Sequence, residues 1–217
     1  MQTALVTGGS RGIGAATVRE LSKRGWRVAF TYLQSENAAK ALAGETGALA
    51  ISCDARDEAQ TRQMAQTLLR EFHHLDALVC NAGTSYTGLL QDMSAAQWDD
   101  LFALHVRGAF LTTRAFLPEM ISHKTGAIVY VSSMWGQVGA SCEVAYSAAK
   151  AAVIGLTKAL AKEVGPSGVR VNCVCPGVID TDMNAELDEE TRAALRDETP
   201  LERIGTPEDV ARAVAYL

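Results

Sequence analysis

With 217 residues and 48% hydrophobic content, the chain is long enough to bury the core of one α/β domain spanning residues 1–217. Its net charge of −5 supplies no basic footprint for nucleic acid or an anionic membrane, so neither is expected as a partner. No apolar run approaches the roughly 20 residues that cross a bilayer, and strand-like sequence follows Met1 directly where a signal peptide would stand. Cys53, Cys80, Cys142, Cys173 and Cys175 are odd in number and mostly in apolar strand contexts, which reads as reduced, packed thiols of a cytoplasmic protein. Cys173 and Cys175 sit i, i+2 without further ligands beside them, so buried core is favoured there over metal.

In chain order, a β-branched apolar run predicts a strand over 3–7 and a helix over 13–24, joined by Gly8-Gly-Ser10-Arg11-Gly12-Ile13-Gly14. A strand, a glycine turn and a helix start together cradle a phosphate, through exposed N–H groups and the positive end of the helix dipole. The spacing differs from Gly-x-Gly-x-x-Gly, and an ordinary βα turn is the alternative. Strands follow at 27–32 and 48–53, with helices at 36–43 and 57–72; Asp54 and Ala55 come just after the third strand. His73-His74 ends the 57–72 helix and reads as surface or dipole compensation.

A strand at 75–80 leads into Asn81-Ala82-Gly83, and a single helix is predicted over 95–122, started by Ser94-Ala-Ala-Gln97 and carrying His105. The strand at 126–132 runs into Ser133, the helix at 143–164 carries Tyr146 and Lys150, and the strand at 169–175 precedes Pro176-Gly177. A charged stretch over 183–204 separates these from a helix at 207–217, whose start Thr206-Pro207-Glu-Asp209 places proline first. Strands that are continuously apolar fit a parallel sheet buried on both faces. Alternation with helices gives a doubly wound, Rossmann-type sheet with helices on both faces, whose ligands bind outside the carboxyl ends of the strands.

Tyr146 and Lys150 lie four residues apart on a predicted helix and therefore share a face. A free phenol has a pKa of about 10, and a nearby ammonium is expected to pull it toward working pH. An exposed helical pair is the plain alternative.

Thr7-Gly8-x-x-x-Gly12-x-Gly14, Asn81-Ala82-Gly83, Ser133, Tyr146-x-x-x-Lys150 and Pro176-Gly177, in that order, resemble the short-chain dehydrogenase/reductase family. Within it the chain is most similar to the 3-oxoacyl-acyl-carrier-protein reductases, and the likeness runs from residue 3 to 217. The resemblance implies NADP(H) as cofactor, no metal, and a dimer or homotetramer. It implies that Ser133 and Tyr146 meet the substrate carbonyl, Tyr146 passing the proton, while Lys150 tunes the phenol and holds the nicotinamide ribose. On the cofactor side it implies Gly8, Ser10, Gly12, Ile13, Gly14, Tyr32, Asp54, Ala55, Asn81, Ala82 and Gly83. Pro176, Gly177, Ile179 and Thr181 complete that set, with Tyr146 and Lys150. Asp54 is the expected adenine contact, with a turn role as the alternative; Asn81-Ala82-Gly83 is expected to be as much structural as binding.

The cofactor's phosphate state has a separate sequence argument. Enzymes that select NAD place an acid after the second strand, yet here Phe30-Thr-Tyr32-Leu-Gln-Ser35 offers none before Glu36. Arg11 in the glycine turn suits a 2′-phosphate instead, with a solvated loop residue as the alternative. Two departures from the family stand out. His105 occupies the place of an asparagine that supports a proton-relay water, so it is either a relay partner with its own pH dependence or a packed core residue. The chain also stops at Leu217, before a further strand found in relatives, which suggests a truncation. By the resemblance, 183–204 forms a lid, while Met134, Trp135 and Val138 line an apolar wall and Lys124 and Arg107 face an acidic carrier protein; packing and solvated surface are the respective alternatives. The expected activity is NADPH-dependent reduction of a 3-oxoacyl thioester, with another ketone, sugar or alcohol, or a silent nucleotide-binding scaffold, as alternatives.

Overall fold

Thr3–Val6 forms strand β1, buried at all four residues, in the middle of the sheet of the computed structural model, which describes residues 1–185 and 187–217. β2 (Arg27–Tyr32), β3 (Leu49–Ser52), β4 (Ala77–Cys80), β5 (Gly126–Val131) and β6 (Val169–Val174) complete a parallel sheet in the order β3-β2-β1-β4-β5-β6. The order reverses between β1 and β4, which is the switch point where this architecture opens a ligand crevice. Val6 is level with Phe30 on one side and Val79 on the other, so Thr7 and Asn81 emerge next to each other at that crevice.

The helices are α1 (Gly12–Lys23), α2 (Glu36–Thr46), α3 (Glu58–Phe72), α4 (Ala95–Phe102), α5 (Gly108–His123), α6 (Trp135–Val138), α7 (Val144–Val164), α8 (Glu189–Glu198) and α9 (Pro207–Tyr216). Successive strand residues point to opposite faces. Leu5 and Ile128 therefore join Leu68, Phe116 and Val153 in one core layer, while Val6 and Val129 join Val18, Phe30 and Val210 in the other. The helix starts at Ser94 and Thr206 are both capping boxes, with Gln97 and Asp209 reaching back to the cap.

Several expectations change. Burial on both faces holds for β1 and β4, but the edge strand β3 is exposed at both ends and β6 is only half-buried beyond Val171, because each edge has one neighbour instead of two. The single helix over 95–122 is three segments, with a π-helical turn at Ala103–Arg107 between α4 and α5. A π turn inserts an extra residue and re-aims side chains, and it is commonly found at functional sites. α2 continues to Thr46 and stops at Gly47, which adopts φ 71°. The charged stretch over 183–204 contains α8, capped by Asp188 and without a buried residue; Glu186, within that stretch, lies outside the described residues. The segment Val144–Ser167 is long and apolar enough to cross a membrane, with mean hydropathy 1.2, although no unbroken apolar run reaches that length. Here it is a core helix, burying Ala149, Val153, Leu160 and Val164 against the sheet. Cys53 and Cys80 are buried, whereas Cys142, Cys173 and Cys175 are half-buried, and all five are free thiols.

Phe116 is fully buried in the layer holding α3 and α5 against the sheet. Phe116→Ala should cost about 3–5 kcal/mol of unfolding free energy by urea titration. A loss under about 1 kcal/mol would mean that the layer closes over the gap.

Candidate active site

The glycine turn is fixed by β4. The Thr7 hydroxyl accepts from the backbone N–H of Asn81 at 3.0 Å and of Ala82 at 3.1 Å, and the Asn81 amide donates to the carbonyls of Thr7 at 3.1 Å and Gly8 at 3.0 Å. Gly8 has φ +62°, and a Cβ there would stand 2.8 Å from the Ala82 Cα, so both conformation and space require glycine. Asn81 and Ala82 thus shape the turn.

At the start of α1, Arg11 is the N-cap in extended conformation with no side-chain cap, so the first N–H groups carry the positive end of the dipole without a side-chain acceptor. That donor set fits a pyrophosphate. Ile13 and Tyr32 pack against the core layer beside the turn, and Ser10 is half-buried within it. Arg11 meets Asp182 at 3.3 Å in an exposed ion pair, which leaves the guanidinium exchangeable. Asp54 is more committed: Arg56 donates to both its oxygens, at 2.9–3.2 Å, and holds its carboxyl below the usual range. The turn role foreseen for Asp54 is therefore present. Ala55 is buried, with its carbonyl close to Gly108.

On the other side of the crevice, Ser132 and Ser133 leave β5 and divide their tasks. Ser132 donates to the Lys150 carbonyl at 2.9 Å, pinning α7 to the sheet, while the Ser133 hydroxyl accepts from the Trp135 N–H at 3.2 Å. Lys150 is 4% exposed and donates to the Val131 carbonyl at 2.9 Å. An ammonium has three donors, so this bond leaves two for other acceptors. Its Nζ stands 5.4 Å from the centre of the Tyr146 ring.

The expected depression of the phenol is absent. Burial pushes Tyr146 up to about 12, with Ser133 pulling the other way and Glu143 adding to the rise. Lys150 faces Val131 instead of the phenol oxygen and is itself driven down to about 8 by burial. Desolvation, acting on both partners, outweighs their attraction.

His105 lies in the π turn, buried at 4% exposure. Its ring packs edge-to-face on Tyr146, with centroids 5.5 Å apart, and its Nε2 is 2.7 Å from the Thr84 carbonyl. Gly83 makes room for that ring, since a Cβ at 83 would come within 2.4 Å of the imidazole Cε1. Burial and the Lys150 charge hold His105 down to about 3, so it is neutral at physiological pH and does not supply the separate titration expected of it. A cavity of about 10 Å³ is lined by both His105 and Lys150. That is about the smallest volume that holds one water.

The segment after β6 closes the crevice. Pro176 accepts from Met134 N–H at 2.9 Å, the Met134 sulfur lies 3.6 Å from where a Gly177 Cβ would stand, and Thr181 packs over Gly12. Ile179 turns its side chain into the α1–α9 core layer, and its carbonyl accepts from the Asn184 amide at 2.8 Å. Arg192 ties α8 back to this segment through Asp180 and the Asn184 carbonyl, both at 3.0 Å. Of the expected apolar wall, Val138 is 76% exposed while Met134 and Trp135 are half-buried. Arg107 binds the Arg56 carbonyl and Lys124 caps α5, which fits local structural roles for both. Reasoning from the sequence missed Arg56, Thr84 and the Val131 carbonyl. Only Arg56 left a signal, as a cation two residues from Asp54.

A short chain dehydrogenase family model matches residues 2–192. The chain is 39% identical over 222 residues to the uncharacterized oxidoreductase YmfI of Bacillus subtilis, covering all of this chain and 90% of that protein. It is 37% identical over 221 residues to the 3-oxoacyl-acyl-carrier-protein reductase FabG of Staphylococcus aureus, covering 100% of this chain and 90% of the relative. A 3-oxoacyl-acyl-carrier-protein reductase of Synechocystis is 40% identical over 221 residues, with coverage of 100% and 88%. A crystallised dehydrogenase/reductase from Sinorhizobium meliloti has a TM-score of 0.93 at 36% identity, covering 100% of this chain and 87% of its own. With the motifs held in one crevice and likeness over its whole length, the chain belongs to the short-chain dehydrogenase family.

Proposed function

We propose that this oxidoreductase is an NADPH-dependent carbonyl reductase that converts 3-oxoacyl-acyl-carrier-protein thioesters to 3-hydroxyacyl products. In this reading residues 1–217 work as one dinucleotide-binding domain of a cytoplasmic homo-oligomer. The carrying observation is the grouping of buried Ser133 and Lys150 with half-buried Tyr146 opposite a glycine turn with an uncapped helix start. The thioester assignment draws on the relatives named as 3-oxoacyl-acyl-carrier-protein reductases, and the cytoplasmic one on five free thiols.

The nicotinamide, when bound, supplies the hydride. Tyr146 is the proton donor to the substrate oxygen, and its high pKa keeps it in the donating form throughout the neutral range. Ser133 shares the substrate oxygen with it. Lys150 uses its two remaining donors on ribose hydroxyls, and water between Lys150 and His105 replenishes the proton. The glycine turn and the α1 N–H groups would hold the pyrophosphate, the exposed Arg11, now paired with Asp182, would hold the 2′-phosphate, and Asp54 would accept from the adenine. α8, free of buried residues, covers the substrate.

An NADPH-oxidation assay with acetoacetyl-CoA and acyl-carrier-protein thioesters tests this. Tyr146→Phe should lower turnover by about 10²–10⁴-fold with cofactor binding retained. Undiminished turnover would remove Tyr146 from the chemistry. In the reductive direction the limb at high pH should follow Lys150: the ammonium is present below about 8 and lost above it, whereas the phenol stays protonated to about 12. A rate that holds level from pH 7 to 10 contradicts that order, since Lys150 at about 8 would lose its charge within this window.

NADPH should bind much more tightly than NADH, and Arg11→Ala should narrow the gap by about tenfold or more, the loss of one charge-assisted contact of about 1.5–3 kcal/mol. Equal affinities in the parent protein sink the 2′-phosphate assignment.

If His105 supports the relay, His105→Ala should reduce turnover by about 10²-fold, the low end for assisted proton transfer, while leaving NADPH affinity nearly intact. His105→Asn should restore most of the rate. Full turnover in the alanine variant would make His105 a packing residue only.

A further inference from the structure

At the opposite end of the sheet, away from the crevice, three metal-ligating side chains from separate parts of the chain converge. His74 lies between α3 and β4, while Glu119 and His123 lie one turn apart at the end of α5. The Glu119 Oε1 is 2.6 Å from His74 Nδ1 and 2.9 Å from His123 Nδ1, which also lies 3.0 Å from the Glu119 carbonyl, and the two imidazoles are tilted by 51° with centroids 4.8 Å apart. The other Glu119 oxygen is the only buried side-chain oxygen or nitrogen without a hydrogen-bond partner among the described residues. A carboxylate is therefore held inward with unused acceptor capacity, between two ring nitrogens.

The far side of His74 is also prepared. Its Nε2 is 3.2 Å from Asp76 Oδ1, and the second Asp76 oxygen accepts from the Thr3 backbone N–H at 2.7 Å. An imidazole that donates one N–H to a fixed carboxylate presents its other nitrogen as a lone pair, which is the support that metal-binding histidines typically have. For His74 to donate at both nitrogens instead, it would have to carry an extra proton at the position a cation takes.

We propose that His74, Glu119 and His123 form a site for a divalent cation of the zinc class, with Asp76 orienting His74. Two imidazoles and one carboxylate are a donor set that zinc accepts, with a water or the second Glu119 oxygen in the fourth position. Tetrahedral zinc with bonds of about 2.0–2.1 Å separates its ligands by about 3.3 Å, so the Glu119 oxygen must part from each ring nitrogen by less than about 1 Å, and the ligand atoms already lie within 4.8 Å of one another. His123, whose side chain is 53% exposed, provides that movement and the entry path. The ion would clamp the α3–β4 turn to the end of α5 and take no part in hydride transfer.

The test is calorimetric titration of the tag-free, metal-stripped full chain with zinc chloride, alongside the absorption spectrum of the cobalt(II) form. We expect one saturable equivalent, tetrahedral cobalt bands, and an unfolding midpoint raised by roughly 5 °C or more at a hundredfold excess over Kd. His123→Ala removes an exposed ligand and should keep the fold and NADPH oxidation while losing the bands, the midpoint shift and about 100-fold or more in affinity. Asp76→Asn should weaken binding by about 10–100-fold. Zinc held by Cys173 or Cys175 would be equal in parent and His123→Ala proteins. Such equality, or no saturable binding in the parent protein, overturns the assignment and leaves a proton-bridged histidine–carboxylate network.

Discussion

The Thr7 hydroxyl accepts two consecutive N–H groups from the end of β4, and the rest of the crevice is arranged around that joint. It connects the two strands at which the sheet order reverses, so the turn after β1 and the turn after β4 cannot move independently. Asn81 closes the same junction from the other side through the Thr7 and Gly8 carbonyls. A parallel sheet places both turns at one edge, but without these bonds the glycine turn would have backbone groups to satisfy elsewhere. Gly83, two residues further on, extends the joint to the Tyr146 side of the crevice by giving its missing side chain's space to His105.

Beyond the joint, the site places charge where solvation is poor. Burying an ammonium is costly unless it is well paired, and Lys150 has a single carbonyl partner among the described residues. The cost appears in its lowered pKa, and the same burial raises Tyr146 and keeps His105 neutral. Three titratable groups in contact are thus all biased toward their uncharged forms. Such a set favours a ligand that brings hydroxyls to the lysine. It also suits a neutral phenol giving up a proton in a reduction.

The two ends of the sheet use similar residues for different ends. At the carboxyl edge, His105 is buried, neutral and packed on an aromatic ring. At the amino edge, His74 stands between two carboxylates within reach of a second imidazole. The first environment excludes charge, and the second gathers two carboxylates around two imidazoles. The polarity of the parallel sheet separates the two, since every crossover returns the chain to the same edge.

Much of this was legible in the sequence. Apolar strand runs alternating with helical segments determined the doubly wound fold, because a parallel sheet covered on both faces leaves that pattern. Gly8, Ser133, Tyr146 and Lys150 were recognisable because close backbone approach and proton chemistry restrict the residue types that serve. Capping boxes at Ser94 and Thr206 were equally plain, being local in sequence. Tertiary structure alone decided the pKa directions, since desolvation depends on what surrounds a group and not on its i+4 neighbour: the phenol rose where the Tyr146–Lys150 spacing suggested a fall. It also decided that Ile179 turns into the core, that Arg56 occupies Asp54, and that a π turn carries His105 inward. The same holds for His74 with Glu119 and His123, which stand 45 and 49 positions apart and meet only because the sheet brings α5 beside the start of β4.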